Sequence, residues 1–447
     1  MTTTEAPSTP ARPVTAPGAP SNRRLRRVAA AAVVGSTIEF YDFYVYGTAA
    51  ALVFPTVFFP HLGHTMAAVA SLATFAAAFL VRPFGAVFFG HFGDRLGRKR
   101  SLLATLLIMG LSTVAVGLVP STASIGLCAP VILLVLRLLQ GFALGGEWAG
   151  SALLTAEHAP RNRRGTYGMT TALGGGAGLV LTSAVFLAVN ATVGEKNTAF
   201  LTWGWRVPFL FSAVLIVVAL YVRCTVEETP VFVAAKADSG VAAAPLAGVL
   251  TRQRRNVVLT AGSIVGVFAF RYMAGTYLAG YASAHLGHPR GLVLLVGVIG
   301  GACVMAVSAV SARLSDTVGR RRIMLTGYAI ALPWSMLPLP LLNTGGTGVF
   351  VLTIVVTYVI LGFTDGPSAA YIPENFPTRY RYTGAGLAFT IGAIVGGALP
   401  PTLSGVLQSA VGSWAVGLLM AVLVAVSMVS ILHLPETKDV ILGPAGG

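Results

Sequence analysis

A basic motif that occurs twice, half a chain apart, constrains the fold more than any other feature. Residues 90–100 have the sequence GHFGDRLGRKR, and residues 316–322 have the related sequence DTVGRRR. A second pair is separated by a similar distance: EHAPRNRR at 157–164 and ENFPTRYR at 374–381. Long apolar segments flank each copy of the basic motif, so the sequence predicts a duplicated membrane protein.

The composition supports this prediction. Hydrophobic residues make up 55% of the 447 residues and charged residues only 10%, against about 25% charged residues in soluble proteins, which excludes a soluble enzyme. Twelve apolar segments are long enough to cross a bilayer of about 30 Å. They lie near 28–54, 66–90, 101–119, 129–155, 166–190, 204–223, 257–283, 291–313, 322–342, 348–372, 383–408 and 414–434.

These segments predict an all-α membrane protein with two pseudo-symmetric six-helix bundles. We expect the bundles at 28–223 and 257–434, joined by a cytoplasmic linker at 224–256. The tails would be residues 1–27, which are rich in Pro, Thr, Ser and Ala and predicted to be disordered, and residues 435–447.

The basic residues indicate the orientation in the membrane. The net charge is +15, and most Lys and Arg lie in the tails and in alternate loops, whereas the opposite loops hold only Lys196, Arg206 and Arg290. The positive-inside rule then places both termini in the cytoplasm of a bacterium, with the chain in its inner membrane. No compact basic domain is present, so nucleic acid is not an expected partner.

Seven charged residues fall within the apolar spans. They are Glu39, Asp42, Arg82, Arg137, Glu147, Arg271 and Asp365. Each unpaired charge costs roughly 2.5–3.5 kcal/mol to insert, so these side chains are expected to face each other or a water-filled cavity. The predicted cavity is the candidate functional site.

The first span brings two acids to one helical face. Glu39, Asp42 and Tyr46 have helical spacing, and Asp42 lies about 22 Å from the cytoplasmic boundary. Arg137 in the fourth span lies at a similar depth and could pair with Asp42. A substrate that competes for the arginine would free the carboxylate to take a proton. A permanent salt bridge is the structural alternative, and Glu39 is the alternative proton carrier.

Arg271 in the seventh span is the counterpart of these residues in the second half. One cavity arginine from each half would suit a carboxylate substrate, because guanidinium binds carboxylate with two parallel hydrogen bonds. Pairing of Arg271 with an acid is the alternative. Arg82 is expected to extend to the cytoplasmic surface, whereas Glu147 and Asp365 are candidates for an inner gate or a proton exit.

Other polar side chains complete the predicted site. Gln140, Tyr46, Trp148, Tyr272 and Tyr277 would add hydrogen bonds and apolar contact to a substrate held by the arginines. The three cysteines lack metal-ligand spacing, and His61 and His64 belong to a predicted outer loop, so no metal site is expected. Protons as coupling ions take the place of a cofactor.

Several motifs resemble those of a known family. The loop motif at 90–100 resembles the signature loop of the major facilitator superfamily. The motifs EFYDF at 39–43, RPFG at 82–85, RLLQGFALGGEW at 137–148 and GWRVPF at 204–209 resemble the metabolite:proton symporter family, which includes transporters for shikimate, 2-oxoglutarate, citrate and proline/betaine. The resemblance covers all twelve spans and is most specific in the first half.

The resemblance implies alternating access between the bundles and a gate at the repeated loop. Asp94 would be held against neighbouring helix ends and basic residues. The predicted gating residues are Gly90, Asp94, Arg95, Gly97, Arg98, Asp316, Arg320, Glu147, Asp365, Glu157 and Glu374. The second copy has Ala312 and Thr317 where the pattern has glycine and a basic residue, so we expect a weaker lock there.

Together these features predict a transporter and not an enzyme, since no nucleophile with a base, metal cluster or nucleotide loop is present. We expect a symporter that imports a small polar organic acid with protons, in contact with membrane lipid and acting as a monomer. A zwitterionic osmolyte such as betaine or proline is the first alternative solute. The second alternative is a proton-driven exporter of drugs or metabolites.

Overall fold

The computed structural model describes residues 22–96, 98–145, 159, 161–194, 197–225, 245–377 and 380–440. Each of the twelve predicted spans coincides with a helix in this part of the chain. The helices are α1 (Asn22–Leu52), α2 (His64–Leu96), α3 (Arg98–Leu118), α4 (Cys128–Leu144), α5 (Arg164–Val193), α6 (Arg206–Thr225), α7 (Arg254–Ala284), α8 (Arg290–Val318), α9 (Arg320–Trp334), α10 (Thr347–Glu374), α11 (Arg381–Ala410) and α12 (Ser413–Leu432).

The helices have the length and composition of membrane spans. Eight of the described helices are apolar over 18 residues or more, and shorter apolar helices occur at Leu103–Leu118 and Cys128–Leu144. Their outward faces carry exposed Leu, Val and Phe side chains, as expected where lipid replaces water. The prediction of an all-α, twelve-span membrane protein is confirmed.

Two helix ends differ from the prediction. The ninth span ends at Trp334, directly after Pro333, and the chain continues as a separate short helix at Pro338–Leu342. Pro338, which begins the short helix, has no N–H to bond to the carbonyl oxygen of Trp334 and its ring clashes with that carbonyl, which explains the early end. In contrast, α2 extends to Leu96, six residues beyond its predicted end, although its apolar part ends at Phe89, as predicted.

Glycines allow α2 and α4 to cross closely. A Cβ atom added at Gly85 would lie 1.8 Å from the carbonyl oxygen of Phe142, and one at Gly141 would lie 2.1 Å from that of Ala78. Only glycine permits backbones to approach to this distance. The close crossing brings the side chains of α2 and α4 together beside α1.

The two halves of the chain meet mainly along α5 and α8. Gly176 of α5 packs against Met305 and Gly301 of α8, and Gly165 packs against Ala312. On the other side of the molecule, α2 contacts α11. The charged side chains of the interior lie between these two contacts.

Two of the long helices contain a π turn, at Met273–Tyr277 in α7 and at Ile394–Ala398 in α11, and a third π turn at Phe200–Gly204 precedes α6. π turns interrupt the regular hydrogen-bond ladder and occur often at functional sites. The turn in α7 starts two residues after Arg271, so it adjoins the candidate site.

Candidate functional site

Arg137 is the most deeply buried charge of the site. Its side chain has no exposed surface, and Nη1 donates a hydrogen bond of 2.9 Å to Oε1 of Gln140 one turn along α4. The guanidinium carbon lies 4.3 Å from the ring centroid of Phe43 and 4.2 Å from that of Tyr46. Nε and Nη2 have no hydrogen-bond partner. Arg82 and Arg271 each leave Nε without a partner as well, so Arg137 differs from them in having two adjacent unoccupied donors.

Asp42 does not form the predicted ion pair with Arg137. Its Oδ1 accepts a hydrogen bond of 2.9 Å from Ser212 of α6, and Thr113 of α3 is a further neighbour. Gln140 links the two sides, because its Nε2 donates to Oγ1 of Thr113 at 2.7 Å while its Oε1 accepts from Arg137. Asp42 and Arg137 are therefore linked through the side chains of Thr113 and Gln140 and do not form a direct ion pair.

The predicted position of Arg82 was wrong. The side chain does not extend to the cytoplasmic surface but is buried, with its guanidinium carbon 4.5 Å from the ring centroids of Phe43 and Phe79. At 1.5 Å per residue, Arg82 lies about 21 Å from the end of α2 at Leu96. Glu39 is within electrostatic range of Arg82 and is itself buried.

Arg271 adopts the alternative left open by the sequence, because it pairs with an acid. Nη2 of Arg271 contacts Oδ1 of Asp365 on α10, and both side chains are buried. Asp365 lies about 14 Å inside the end of α10, in the half of the helix that the sequence predicted, and its role in an inner gate or a proton exit stays a prediction. A cavity of about 20 Å³, which is room for one water molecule, adjoins the pair next to Phe40.

Tyr272 closes the site from the second half of the chain. Its ring centroid lies 5.3 Å from Phe79, 5.4 Å from Phe75 and 6.3 Å from Phe43. Arg82 and Glu39 are among its electrostatic neighbours. The tyrosine of α7 thus fills an aromatic box that α1 and α2 provide.

The other two predicted tyrosines have different surroundings. Tyr46 faces Arg137 and donates a hydrogen bond of 2.8 Å to Thr74 of α2. Tyr277 instead donates to the backbone oxygen of Ser404 on α11, at 3.2 Å, and stacks on Tyr281. The structure therefore brings Tyr46 into the site, whereas Tyr277 joins α7 to α11.

The bundles contact each other on both sides of the site. Toward the predicted outer surface, the guanidinium carbon of Arg290 lies 4.2 Å from the ring centroid of Phe200. Toward the predicted cytoplasmic surface, Asp316 accepts hydrogen bonds from the backbone N–H groups of Gly165 and Thr166, at 2.8 and 2.9 Å. The described residues thus join the two bundles at positions on either side of the site.

Asp316 is the first residue of the second copy of the repeated loop motif. Asp316 also accepts from the hydroxyl of Thr166 at 2.7 Å and pairs with Arg320 at 2.8 Å. Its charge faces the first turn of α5, where the helix dipole favours an anion. Nε of Arg320 lies 3.5 Å from Oε2 of Glu374, which accepts a hydrogen bond from Thr437.

Some predicted residues cannot be placed. Gly97, Glu147, Trp148 and Glu157 lie outside the described residues. The backbone at Gly90, Asp94, Arg95 and Arg98 is helical, but the side chains of Asp94, Arg95 and Arg98 lie outside the described part of the structure. The expectation that the second loop forms the weaker lock therefore stays a prediction.

Sequence reasoning missed several contributors to the site, among them Phe75 and Phe79 of the aromatic box and Thr74, which bonds to Tyr46. Ser212 donates a hydrogen bond to Asp42, and Thr113 is a further neighbour of that acid. Phe43 contacts both Arg82 and Arg137. Serine and threonine within an apolar span give no specific signal, since they also bond to their own helix backbone. For Phe43 the sequence did give a sign, because its helical spacing puts it on the same face of α1 as Glu39 and Tyr46.

The comparisons with known proteins agree with this architecture. The model of the family described as "Sugar (and other) transporter" matches residues 28–253 and 244–443. This chain belongs to that family of the major facilitator superfamily. It is therefore a multi-pass membrane transporter and not an enzyme.

The curated relatives are metabolite carriers. The chain is 40% identical to the inner membrane metabolite transport protein YhjE of Escherichia coli K12, over 94% of this chain and 96% of the relative. It is 36% identical to the shikimate transporter of the same organism, over 89% and 91%. It is 32% identical to the proline/betaine transporter of Salmonella typhimurium LT2, over 93% and 84%. These matches confirm the predicted membership of the metabolite:proton symporter family.

A solved structure confirms the fold. The proton:xylose symporter XylE, bound to 6-bromo-6-deoxy-D-glucose, superimposes with a TM-score of 0.72 at 18% identity, over 94% of this chain and 98% of that one. At this identity the similarity establishes the twelve-helix architecture. The solute must be argued from the side chains of this chain.

Proposed function

We propose that this protein is a proton-coupled symporter of a bacterial inner membrane, which imports a small polar organic acid by alternating access. The unoccupied donors of Arg137 carry the proposal. A buried guanidinium with two unpartnered N–H groups is costly, because each buried unsatisfied donor costs about 1–3 kcal/mol. A carboxylate that binds there would satisfy both donors and the charge.

The proton site would be Asp42. It is buried without a direct cationic partner, and its carboxylate is held by the hydroxyl of Ser212. Each of the two acids has an arginine within electrostatic range, Arg137 for Asp42 and Arg82 for Glu39. Asp42 is preferred because Thr113 and Gln140 link it to Arg137, the residue proposed to bind the solute.

The direct test is transport in liposomes that contain the purified protein. An inward proton gradient is imposed, and uptake of labelled shikimate, 2-oxoglutarate, citrate and betaine is followed with and without an uncoupler. Accumulation of one acid that the uncoupler abolishes supports the proposal. Accelerated loss of preloaded solute under the same gradient would instead favour an exporter.

An osmolyte symporter is the runner-up, and the aromatic box favours it. Phe43, Phe75 and Phe79 would present a surface of the kind that binds quaternary ammonium groups once Tyr272, which fills the box in this structure, moves away. However, the guanidinium groups of Arg82 and Arg137 already lie against Phe43. Preferential uptake of betaine in the same assay would support this second function.

A further inference from the structure

We infer that the transported acid has a six-membered ring, which carries the carboxylate and a hydroxyl or keto oxygen, and that this ring replaces the side chain of Tyr272 when the acid binds. The inference rests on the proposed function and adds the class of the substrate. Tyr272 of α7 fills the aromatic box of α1 and α2, and Arg82 and Arg137 are among its electrostatic neighbours. The side chain thus occupies a space that lies beside the proposed carboxylate site.

The space around Tyr272 has the dimensions of one ring. The centre of its ring lies 5.3 Å from that of Phe79, 5.4 Å from that of Phe75 and 6.3 Å from that of Phe43. Phe268, one turn earlier on α7, stacks on its face at 6.2 Å, with an angle of 7° between the ring planes. These distances are typical of contacts between rings, so the neighbours enclose a slot for one flat, six-membered ring.

The polar end of Tyr272 lies among charged side chains. Its hydroxyl accepts a hydrogen bond from Arg82, and Glu39 is a further neighbour. When the phenol leaves the slot, Arg82 loses this acceptor, and a buried donor without a partner is destabilising. The arriving ring must therefore bring an oxygen of its own. A hydroxyl or keto oxygen suits this place better than a second carboxylate, because the group it replaces is uncharged and lies near the acid Glu39.

The free donors of Arg137 adjoin the same space. The guanidinium carbon of Arg137 lies 4.3 Å from the ring centre of Phe43 and 5.0 Å from that of Phe75, and both rings also contact Tyr272. Nε and Nη2 of Arg137 donate side by side, so they match the two oxygens of one carboxylate. A ring that lies in the slot can therefore carry a carboxylate to Arg137 along these two aromatic walls.

The π turns of α7 and α11 both adjoin Tyr272. The turn Met273–Tyr277 begins at the next residue of α7. Gly397 belongs to the turn Ile394–Ala398 of α11, and a Cβ atom added there would lie 3.0 Å from Cδ2 of Tyr272. π turns interrupt the regular hydrogen-bond ladder of a helix. The backbone is thus irregular on both sides of the ring that an incoming acid must displace.

An acyclic acid fits this space less well than a cyclic one. A ring restores the contacts with Phe75 and Phe79 that Tyr272 gives up when it leaves. A flexible chain with the same number of carbon atoms has no flat face for these walls, and it loses more conformational entropy when it is ordered. The geometry therefore favours cyclic acids over acyclic acids of equal size.

The first experiment compares acids of equal charge and carbon number. Calorimetric titration measures the binding of four seven-carbon monocarboxylates to the purified protein: 4-hydroxybenzoate, shikimate, benzoate and 7-hydroxyheptanoate. We expect at least one of the two hydroxylated ring acids to bind about tenfold more tightly than 7-hydroxyheptanoate, which lacks the ring. The same acid should bind about threefold more tightly than benzoate, which lacks the ring oxygen. Its uptake into proteoliposomes, with and without an uncoupler, tests the proposed function in parallel.

The outcomes separate this inference from the proposed function. If 7-hydroxyheptanoate, 2-oxoglutarate or citrate binds best and is accumulated in a manner that the uncoupler abolishes, the inference is wrong and the proposed function stands. Equal binding of benzoate and the hydroxylated ring acids would also overturn the inference, because the ring oxygen would then have no partner in the site. Uptake of betaine alone, or of no solute, would make both wrong.

The second experiment tests the replacement of Tyr272 itself. Tyr272→Leu removes the ring from the slot, so an incoming ring no longer has to displace it, and the affinity for the ring acid should rise at least about threefold. The matched control is Tyr281→Leu on the same helix, where the hydroxyl donates to Oδ1 of Asn343 at 2.7 Å instead. This control should bind the acid within about twofold of the wild type.

A second variant guards against misfolding of Tyr272→Leu. Tyr272→Phe keeps the ring and loses only the hydrogen bond from Arg82, so the phenyl ring should leave the slot more readily than the phenol. We expect its affinity for the ring acid to lie between those of the wild type and Tyr272→Leu. Unchanged or weaker binding by both variants, with normal binding by Tyr281→Leu, would show that the acid does not displace Tyr272 and would overturn the inference.

Discussion

Arg137 of α4 and Arg271 of α7 are both buried in the membrane interior, and they differ in what they contact. Arg271 is paired with Asp365 and leaves Nε without a partner, whereas Arg137 has a neutral amide, aromatic rings and two adjacent unoccupied donors. A paired arginine contributes to the structure of its own bundle. An arginine with free donors is available to an anion from outside, so the comparison separates a structural charge from a binding charge.

The largest expected effect follows from removing the binding charge. Arg137→Gln should lower uptake of the transported acid by about 100-fold or more, because a buried charged hydrogen bond is worth roughly 2–5 kcal/mol. Arg137→Lys should retain a fraction, since an ammonium keeps the charge but lacks the two parallel donors. Initial rates in proteoliposomes measure both.

The control for this prediction is an arginine outside the site. Arg206 donates to the backbone oxygens of Gly117 and Val119, so Arg206→Gln should leave the KM unchanged. The thermal stability of Arg137→Gln should equal or exceed that of the wild type, because no carboxylate loses a contact. Normal uptake by Arg137→Gln would show that Arg137 does not bind the transported acid.

The paired arginine should behave in the opposite way. Arg271→Gln leaves Asp365 as a buried, unpaired acid, and breaking a buried pair costs about 3–5 kcal/mol of stability. The double variant Arg271→Gln/Asp365→Asn removes both charges and should recover most of the stability and a substantial part of the uptake. Thermal unfolding in detergent checks the stability, and failure of the double variant to recover would assign Arg271 a direct role with substrate.

The close crossing of α2 and α4 is expected to have a smaller effect on transport. Gly141→Ala would place a Cβ atom about 2.1 Å from the carbonyl oxygen of Ala78, so the helices must separate and move Arg82 and Arg137 apart. We expect weaker binding of the acid, but a smaller loss than for Arg137→Gln, because both guanidinium groups are displaced and neither is removed. Gly35→Ala, where nothing lies within 4 Å of the added carbon, is the matched control and should bind normally.

The charged residues in this comparison could be predicted from the sequence, because placing a charged side chain in a membrane is costly in free energy. Charges within apolar spans are rare, so Asp42, Arg137 and Arg271 were identified at once, and the repeated loop revealed the duplication. The residues that these charged side chains contact were harder to predict. Depth estimates put Asp42 and Arg137 at one level, but they cannot show that Gln140 and Thr113 separate them.

The error at Arg82 has a similar physical origin. The apolar part of α2 ends at Phe89, as predicted, but the side chain of Arg82 packs inward on Phe43 and Phe79, and depth along a helix does not show the direction of a side chain. The end of the ninth span was missed for a different reason, because Pro338 interrupts the helix inside an apolar run.

The smallest expected effect concerns the aromatic side of the site. Tyr46→Phe removes the hydrogen bond to Thr74 but keeps the ring that faces Arg137. A hydrogen bond contributes about 1 kcal/mol net, so we expect a change in affinity of fivefold or less. Tyr46→Ala should have a larger effect because the ring is lost, and equal effects of the two variants would assign the role to the hydroxyl.

The measurement that tests the central claim most directly is equilibrium binding of the labelled, transported acid to two purified variants. Arg137→Gln removes the arginine with free donors, and Arg271→Gln/Asp365→Asn removes the paired one together with its partner. We predict no detectable binding to the first variant and binding within tenfold of the wild type to the second. Wild-type affinity of Arg137→Gln, with loss of binding in the double variant, would contradict the account.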